Sequence, residues 1–187
     1  MMKRILFFLL TAFPAAAQQP CEYAMQVNDS LGVYKSTKDY LMHEKVFGNS
    51  RTLLYFSLVQ SDGMPMLNLQ LVQKSTDFIP ANCLDKNSRI FLQLDNGKIV
   101  PLIHLDQDNC GTTVRIDDVN NRIISSYFMF VKDSYDELKK SNVSLLRIKY
   151  ATGKSDFVIR PSFTSETDGI TYTPERYFID HLRCVEN

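Results

Sequence analysis

A mostly β fold with antiparallel pairing is what this sequence predicts, on three observations. Leu67, Leu69 and Leu71 alternate with Asn68 and Gln70, the period of a strand with one buried face. Turn signals such as Asp62-Gly63, Asn96-Gly97 and Thr152-Gly153 punctuate the apolar runs. Strands joined by such short connections must run antiparallel. The expected architecture is a single antiparallel β-sandwich or partly rolled barrel with two short helices. An α+β two-layer domain is the alternative.

Residues 1–17 read as a signal peptide. Met1 to Arg4 is cationic, Ile5 to Phe13 is apolar except for Thr11, and Ala15-Ala16-Ala17 supplies the small residues of a cleavage site. Nine such residues are too few for a bilayer core, which needs about twenty. Gln18-Gln19-Pro20 before Cys21 does not resemble a lipid-attachment box, and no second run long enough to span follows. Residues 18–187 then form a single disulfide-bonded β-rich domain, exported to the periplasm or exterior. Without Lys3 and Arg4 its net charge is −2, with the signs mixed along the chain. That excludes the basic footprint of a nucleic-acid binder.

Residues 18–51 show no clean period, and only Tyr40 to His43 reads as a short edge strand. Thr52 to Gln60 is apolar on both faces, as an interior strand would be. Met66 to Gln73 has one apolar face, with Asn68, Gln70 and Gln73 on or near the wet side, and Pro65 belongs at the strand start. Phe78 to Asp85 is a connection.

Ser88 to His104 reads as a hairpin turning at Asn96-Gly97, the pair that a type I′ loop requires. A two-residue loop there sets Leu94 opposite Ile99, Leu92 opposite Pro101 and Ile90 opposite Ile103, all on one buried face. Extended outward, the same register sets Cys83 opposite Cys110.

Residues 105–120 are polar, with Thr112 to Ile116 as a short strand, and Arg122 to Lys132 is a long one. Asp133 to Lys140 reads as a short helix in which Ser134 and Glu137 have capping-box spacing. Ser144 to Arg160 is a second hairpin, pairing Leu146 with Ile159, Ile148 with Phe157 and Lys149 with Asp156. A second helix begins at Thr173 as N-cap, with Pro174 at its first position, and runs to about Arg183.

The four cysteines of an exported chain imply two disulfides. The hairpin register favours Cys83–Cys110, which leaves Cys21–Cys184 by elimination. In the chain-entropy picture the shorter loop contributes roughly 3.5 kcal/mol and the longer one roughly 5 kcal/mol. The gaps of 62, 27 and 74 residues lack the close cysteine pairs of a structural zinc site.

No nucleophile elbow, HExxH, phosphate loop or dinucleotide fingerprint occurs. Of the three histidines, His181 shares a helix face with Tyr177 and Cys184 and reads as a packing residue. His43 lies in the unreadable stretch. His104, beside an acidic turn, is the one candidate for chemistry. Asp106, Asp108, Asp117 and Asp118 lie in two oxygen-rich loops and form a weak candidate calcium site. Cys110 and Asp117 depart from the EF-hand pattern, and ordinary turn chemistry accounts for both loops. No catalytic residue, metal or cofactor is assigned.

Gly32-Val-Tyr-Lys-Ser-Thr-Lys-Asp-Tyr40, Ile90-Phe-Leu-Gln-Leu-Asp-Asn-Gly-Lys98 and the strand–helix–strand from Tyr127 to Tyr150 carry a resemblance. The chain resembles small exported proteins of uncharacterised function from Bacteroides-like bacteria. The resemblance implies a bacterial envelope setting and transfers no site residues. Two function classes follow. One is a non-catalytic binding or interaction module with a protein or glycan partner. The other is a small secreted hydrolase with its site near His104.

Export predicts cleavage after Ala17. N-terminal sequencing of protein recovered from the periplasm or medium is expected to start at Gln18, and an intact Met1 on the exported form would refute the assignment.

Overall fold

Thirteen strands are present among the residues that the computed structural model describes, namely 20–30, 32–105, 107–132 and 135–186. The signal-peptide segment, Asp106 and Ser134 of the expected capping box lie outside the described residues. In chain order the strands are β1 (Tyr23–Asp29), β2 (Gly32–Thr37), β3 (Tyr40–Phe47), β4 (Ser50–Ser61) and β5 (Met64–Ser75). Then come β6 (Arg89–Leu94), β7 (Ile99–His104), β8 (Thr112–Ile116), β9 (Val119–Phe130), β10 (Val143–Lys149) and β11 (Lys154–Val158). A small ribbon, β12 (Phe163–Thr164) with β13 (Thr171–Tyr172), precedes the C-terminal helical segment. The stretch 18–51, in which sequence showed only the edge strand at Tyr40 to His43, thus carries three full strands, β3 among them.

Eleven strands form one open antiparallel sheet: nine follow the order β1-β2-β4-β5-β9-β7-β6-β10-β11, while β3 pairs with β4 and β8 with β9 off this path. Its spine is β4-β5-β9, three strands of 12 residues each. The outer edge of β4 is shared, β3 pairing with 50–56 and β2 with 59–61. The outer edge of β9 is shared likewise, β8 pairing with 119–123 and β7 with 128–130. Backbone groups at each fork still need partners. Leu58 N–H donates to the Thr37 hydroxyl (2.9 Å), and the Asn109 amide donates to Ser125 O (2.7 Å).

The sheet curls around one core. Leu54, Phe56 and Leu58 of β4 share a cluster with Leu67, Leu69 and Leu71 of β5, and also with Ile148 of β10 and Phe157 of β11. No ladder joins β3 to β11, but side chains bridge them. His43 Nδ1 lies 3.2 Å from Val158 O, and Arg160 donates to Glu44 O at 3.0 Å. The other face of β3, β4 and β5 is covered by the ribbon, where Phe163 packs with Leu41, Leu53 and Val72.

The C-terminal segment closes one end of the core. It comprises a 3-10 turn (Pro174–Arg176), α1 (Tyr177–His181) and a further 3-10 turn (Leu182–Val185). Phe178 lies 6.0 Å from Phe56 and 6.2 Å from Phe130, ring to ring. Pro174 sits at the first position as expected, but the Thr173 side chain makes no capping bond. Instead the Thr173 N–H donates to the Tyr40 hydroxyl at 2.8 Å. The expected helix after Asp133 is a 3-10 turn over Tyr135–Lys139, with Glu137 paired to Lys98 at 2.9 Å. Cys21 is bonded to Cys184 and Cys83 to Cys110, with Cα separations of 5.6 and 4.0 Å.

Both hairpin registers differ from expectation. In the first, Leu92 faces Val100 and Ile90 faces Leu102, one residue off. The loop has three residues, because only Gly97 has positive φ (81°) while Asn96 stays in the ordinary region. Gly97 N–H donates to Leu94 O and Leu94 N–H to Lys98 O, a type I turn closed by one left-handed residue. Distant groups select this loop. Asp95 N–H donates to Asn142 O (3.0 Å) and Asn96 N–H to Ser141 Oγ (3.3 Å). A one-residue slip reverses a strand's faces. Val100, Leu102 and His104 therefore point inward, while Ile99 is 61% exposed.

In the second hairpin the shift is two residues, which preserves the faces. Leu146 meets Phe157, and the cross-strand charge pair is Arg147–Asp156 rather than Lys149–Asp156. It is bidentate, at 2.6 and 2.7 Å, and it holds the Asp156 carboxyl below the ordinary range.

The register makes a differential prediction. Leu92→Ala should cost about 2–5 kcal/mol as a core truncation. Ile99→Ala, on the outer face, should stay within about 0.5 kcal/mol. Urea titration of both variants checks this; a large cost at Ile99 would restore the two-residue loop.

Candidate functional site

The register that turns β7 over carries His104 into the interior, where it is only 3% exposed. Its Nδ1 lies 2.8 Å from Asp85 O, and a carbonyl can only accept, so Nδ1 carries the proton. In the neutral ring Nε2 is then an acceptor and takes the hydroxyl of Ser126 at 2.6 Å. That is the hydrogen bond of a nucleophile–base pair. However, Ser126 is itself buried at 9% exposure, and the ring packs 5.1 Å from Phe128. The orienting group is a backbone carbonyl rather than a carboxylate. The pair ties β7 to β9 inside the protein.

The acidic loops are kept apart. Asp117 and Asp118 both have positive φ (45° and 62°) and form the two-residue turn between β8 and β9. Asp118 pairs with Arg115 at 3.0 Å. Asp108 is exposed, next to Asn109, whose amide reaches Ser125. The length of β8 separates the two loops, roughly 17 Å at strand rise. No group of three or more metal-binding side chains gathers among the described residues. His181 packs as expected: its ring stacks on Tyr177 at 4.9 Å and its Nδ1 donates to Tyr177 O at 2.8 Å.

Polar side chains instead gather at the end of the core away from α1. Alternation along β5 carries the inward face from Leu67, Leu69 and Leu71 on to Gln73. Sequence placed Gln73 near the wet side, whereas its Oε1 is buried without a hydrogen-bond partner. Across the ladder stands Arg122, which donates through Nη1 to Cys110 O (2.8 Å) while its Nε is also buried without a partner. Tyr150 follows Leu146 and Ile148 on the inward face of β10, with its hydroxyl buried beside Ser155. Burial pushes that phenol above its ordinary range.

Gln73 and Tyr150, but not Arg122, border a concavity of about 280 Å³, lined also by Ser155, Thr52, His43 and Lys45. Leu71, Phe157 and the rim residue Asp156 complete its wall. His43 donates through Nδ1 to Val158 O, which leaves Nε2 as an acceptor in the neutral ring. Its ring meets Phe157 edge-on at 5.3 Å. Burial, with Arg160 and Lys45 nearby, lowers the His43 pKa against the opposing effect of the Val158 carbonyl. A second concavity of about 410 Å³ shares His43 and Lys45 and continues along Val158, Arg160 and Glu166.

Two other concavities, at Met25–Val27 with Tyr34 and at Phe91 with Ile99, lie on outward surfaces. Neither is lined by any of these buried, unpartnered atoms. None of the four is lined by His104. Glu44, buried beside the second concavity, is occupied by Glu166 N–H (2.9 Å) and the Thr167 hydroxyl (2.6 Å). It fastens the ribbon turn. Sequence singled out neither Gln73 nor Tyr150. A strict count by twos from Leu67 and from Leu146 finds both.

No protein-family model matches the chain, and no curated protein or solved structure is found to match it.

A histidine held below its unfolded pKa of about 6.5 adds stability that is complete above that pH and is lost as pH falls. The protein should therefore lose more Tm between pH 7 and pH 5 than His43→Asn does. Parallel curves for the two proteins would show that His43 does not couple to folding.

Proposed function

We propose that this protein is a non-catalytic binding module of the bacterial envelope or exterior. We read its curled sheet as a partly rolled barrel, and its ligand sits in the mouth at the end away from α1. The observation that carries this reading is the lining of the 280 Å³ concavity, to which Gln73 contributes a side chain whose Oε1 is buried without a hydrogen-bond partner. A buried polar group without a partner costs about 1–3 kcal/mol, and a ligand in the mouth would relieve that cost. Mouths of β-barrels are recurrent ligand sites.

Export is supported by the cationic and apolar start of the chain and by the two disulfides. Among the described residues no helix is long and apolar enough to cross a membrane. The bacterial setting rests on the resemblance to small exported proteins.

The second reading, a hydrolase near His104, has one favourable observation, the 2.6 Å bond from Ser126 to His104. Burial of both partners weighs against it.

Ligand binding raises Tm by mass action. A thermal-shift screen of small polar molecules on the disulfide-bonded protein should yield stabilisers whose effect Ser155→Trp abolishes and Ile99→Ala leaves intact. Stabilisation that survives Ser155→Trp would place the site elsewhere. Ester, peptide and glycoside substrates should not turn over. Turnover lost in Ser126→Ala at unchanged Tm would overturn the non-catalytic reading.

A further inference from the structure

We propose that the mouth takes a neutral, hydroxyl-bearing ring of monosaccharide size, held by Gln73, Tyr150 and His43 against Phe157. This rests on the binding reading above and names its ligand class. The unmet groups are of both kinds. Gln73 Oε1 and, in the neutral ring, His43 Nε2 need a donor. The Lys45 ammonium in the lining needs an acceptor, and the Tyr150 hydroxyl, beside Ser155, can serve either way.

A carboxylate carries no donor and would leave the Gln73 oxygen unmatched, and a phosphate, although it keeps an O–H at neutral pH, turns mostly charged acceptor oxygens toward it. An ammonium ligand would meet Lys45 and find no free carboxylate. Asp156 is held by Arg147, and Glu44 by the ribbon turn. An apolar ligand would leave every polar group unpaired. A hydroxyl donates and accepts at one atom, so a polyol ring answers the whole set. Phe157 and Leu71 supply an apolar wall for its C–H face. About 280 Å³ is at the lower bound of ligand pockets, which suits one ring rather than a larger molecule.

The test is an amide-resolved NMR titration of the disulfide-bonded protein. The probes are methyl β-glucoside, N-acetylglucosamine and myo-inositol, against phosphate, acetate, N-methylacetamide and tetrahydropyran. A hydroxylated ring is expected to shift the amides of Gln73, Tyr150, Ser155 and Phe157 saturably, while tetrahydropyran and phosphate do not. Saturation by inositol alone assigns a free polyol, and saturation by a glycoside assigns a sugar or the end of a glycan. Gln73→Leu and Tyr150→Phe should each weaken binding by about threefold to tenfold, the worth of one hydrogen bond. Tyr150→Phe removes a single atom and keeps the test sound if Gln73→Leu misfolds. Saturation by phosphate, acetate or N-methylacetamide without any by the polyols would overturn the ligand class and leave the mouth as a binding site. Silence of the mouth amides to every probe, together with a higher Tm for Gln73→Leu, would overturn both.

Discussion

The ladder that joins β4, β5 and β9 governs the rest of the molecule. Each strand has 12 residues, roughly 40 Å at strand rise, and each places an apolar row on the same face. The flanking strands are shorter, so two of them share each outer edge of the spine. At one end β2 and β7 continue the sheet, and at the other β3 and β8 do. A fork is sustainable only if the backbone groups between partners are satisfied, and the Thr37 hydroxyl and the Asn109 amide do this. The curl follows, because Leu54 at one side of the path and Phe157 at the other bury their apolar area in one core.

The two ends of that core differ in chemistry. Near α1 it is filled by aromatic rings in edge and tilted contacts, Phe56, Phe130, Tyr177 and Phe178 among them, which contribute beyond their area alone. At the far end Gln73, Arg122, Tyr150 and the His104–Ser126 pair interrupt the apolar layers. The His104–Ser126 pair is satisfied within the protein, where it ties β7 to β9. Gln73 Oε1 and Arg122 Nε are not satisfied, and a fold that keeps such atoms inside departs from the local rules it follows elsewhere. Departures of that kind concentrate at functional sites.

His104 illustrates how a turn decides chemistry. With a two-residue loop it would share the outward face of β7. A third loop residue, with the left-handed conformation confined to Gly97, turns the strand over and puts the imidazole against Phe128. The N–H groups of Asp95 and Asn96 are taken by Asn142 and Ser141, about 45 positions along the chain. Loop length, and through it the surroundings of the histidine, thus depends on a contact that no local window contains.

What the sequence determined by itself is whatever a short window of alternation or turn chemistry can encode. The mostly β class, the buried leucines of β5, the turn at Gly97 and Pro174 at the first position of the C-terminal segment were all legible, since each depends on residues within a few positions. What tertiary structure decided is register and partnership. The strands β1 and β2, and the second half of β3, are illegible alone because their ladder partners, not their own patterns, make them strands. Gln73 turns inward because β5 keeps its pairing with β4 and β9 past the last leucine. The 280 Å³ concavity exists only where β3, β4, β5 and β11 converge, because strands far apart in sequence bury their faces in a common core.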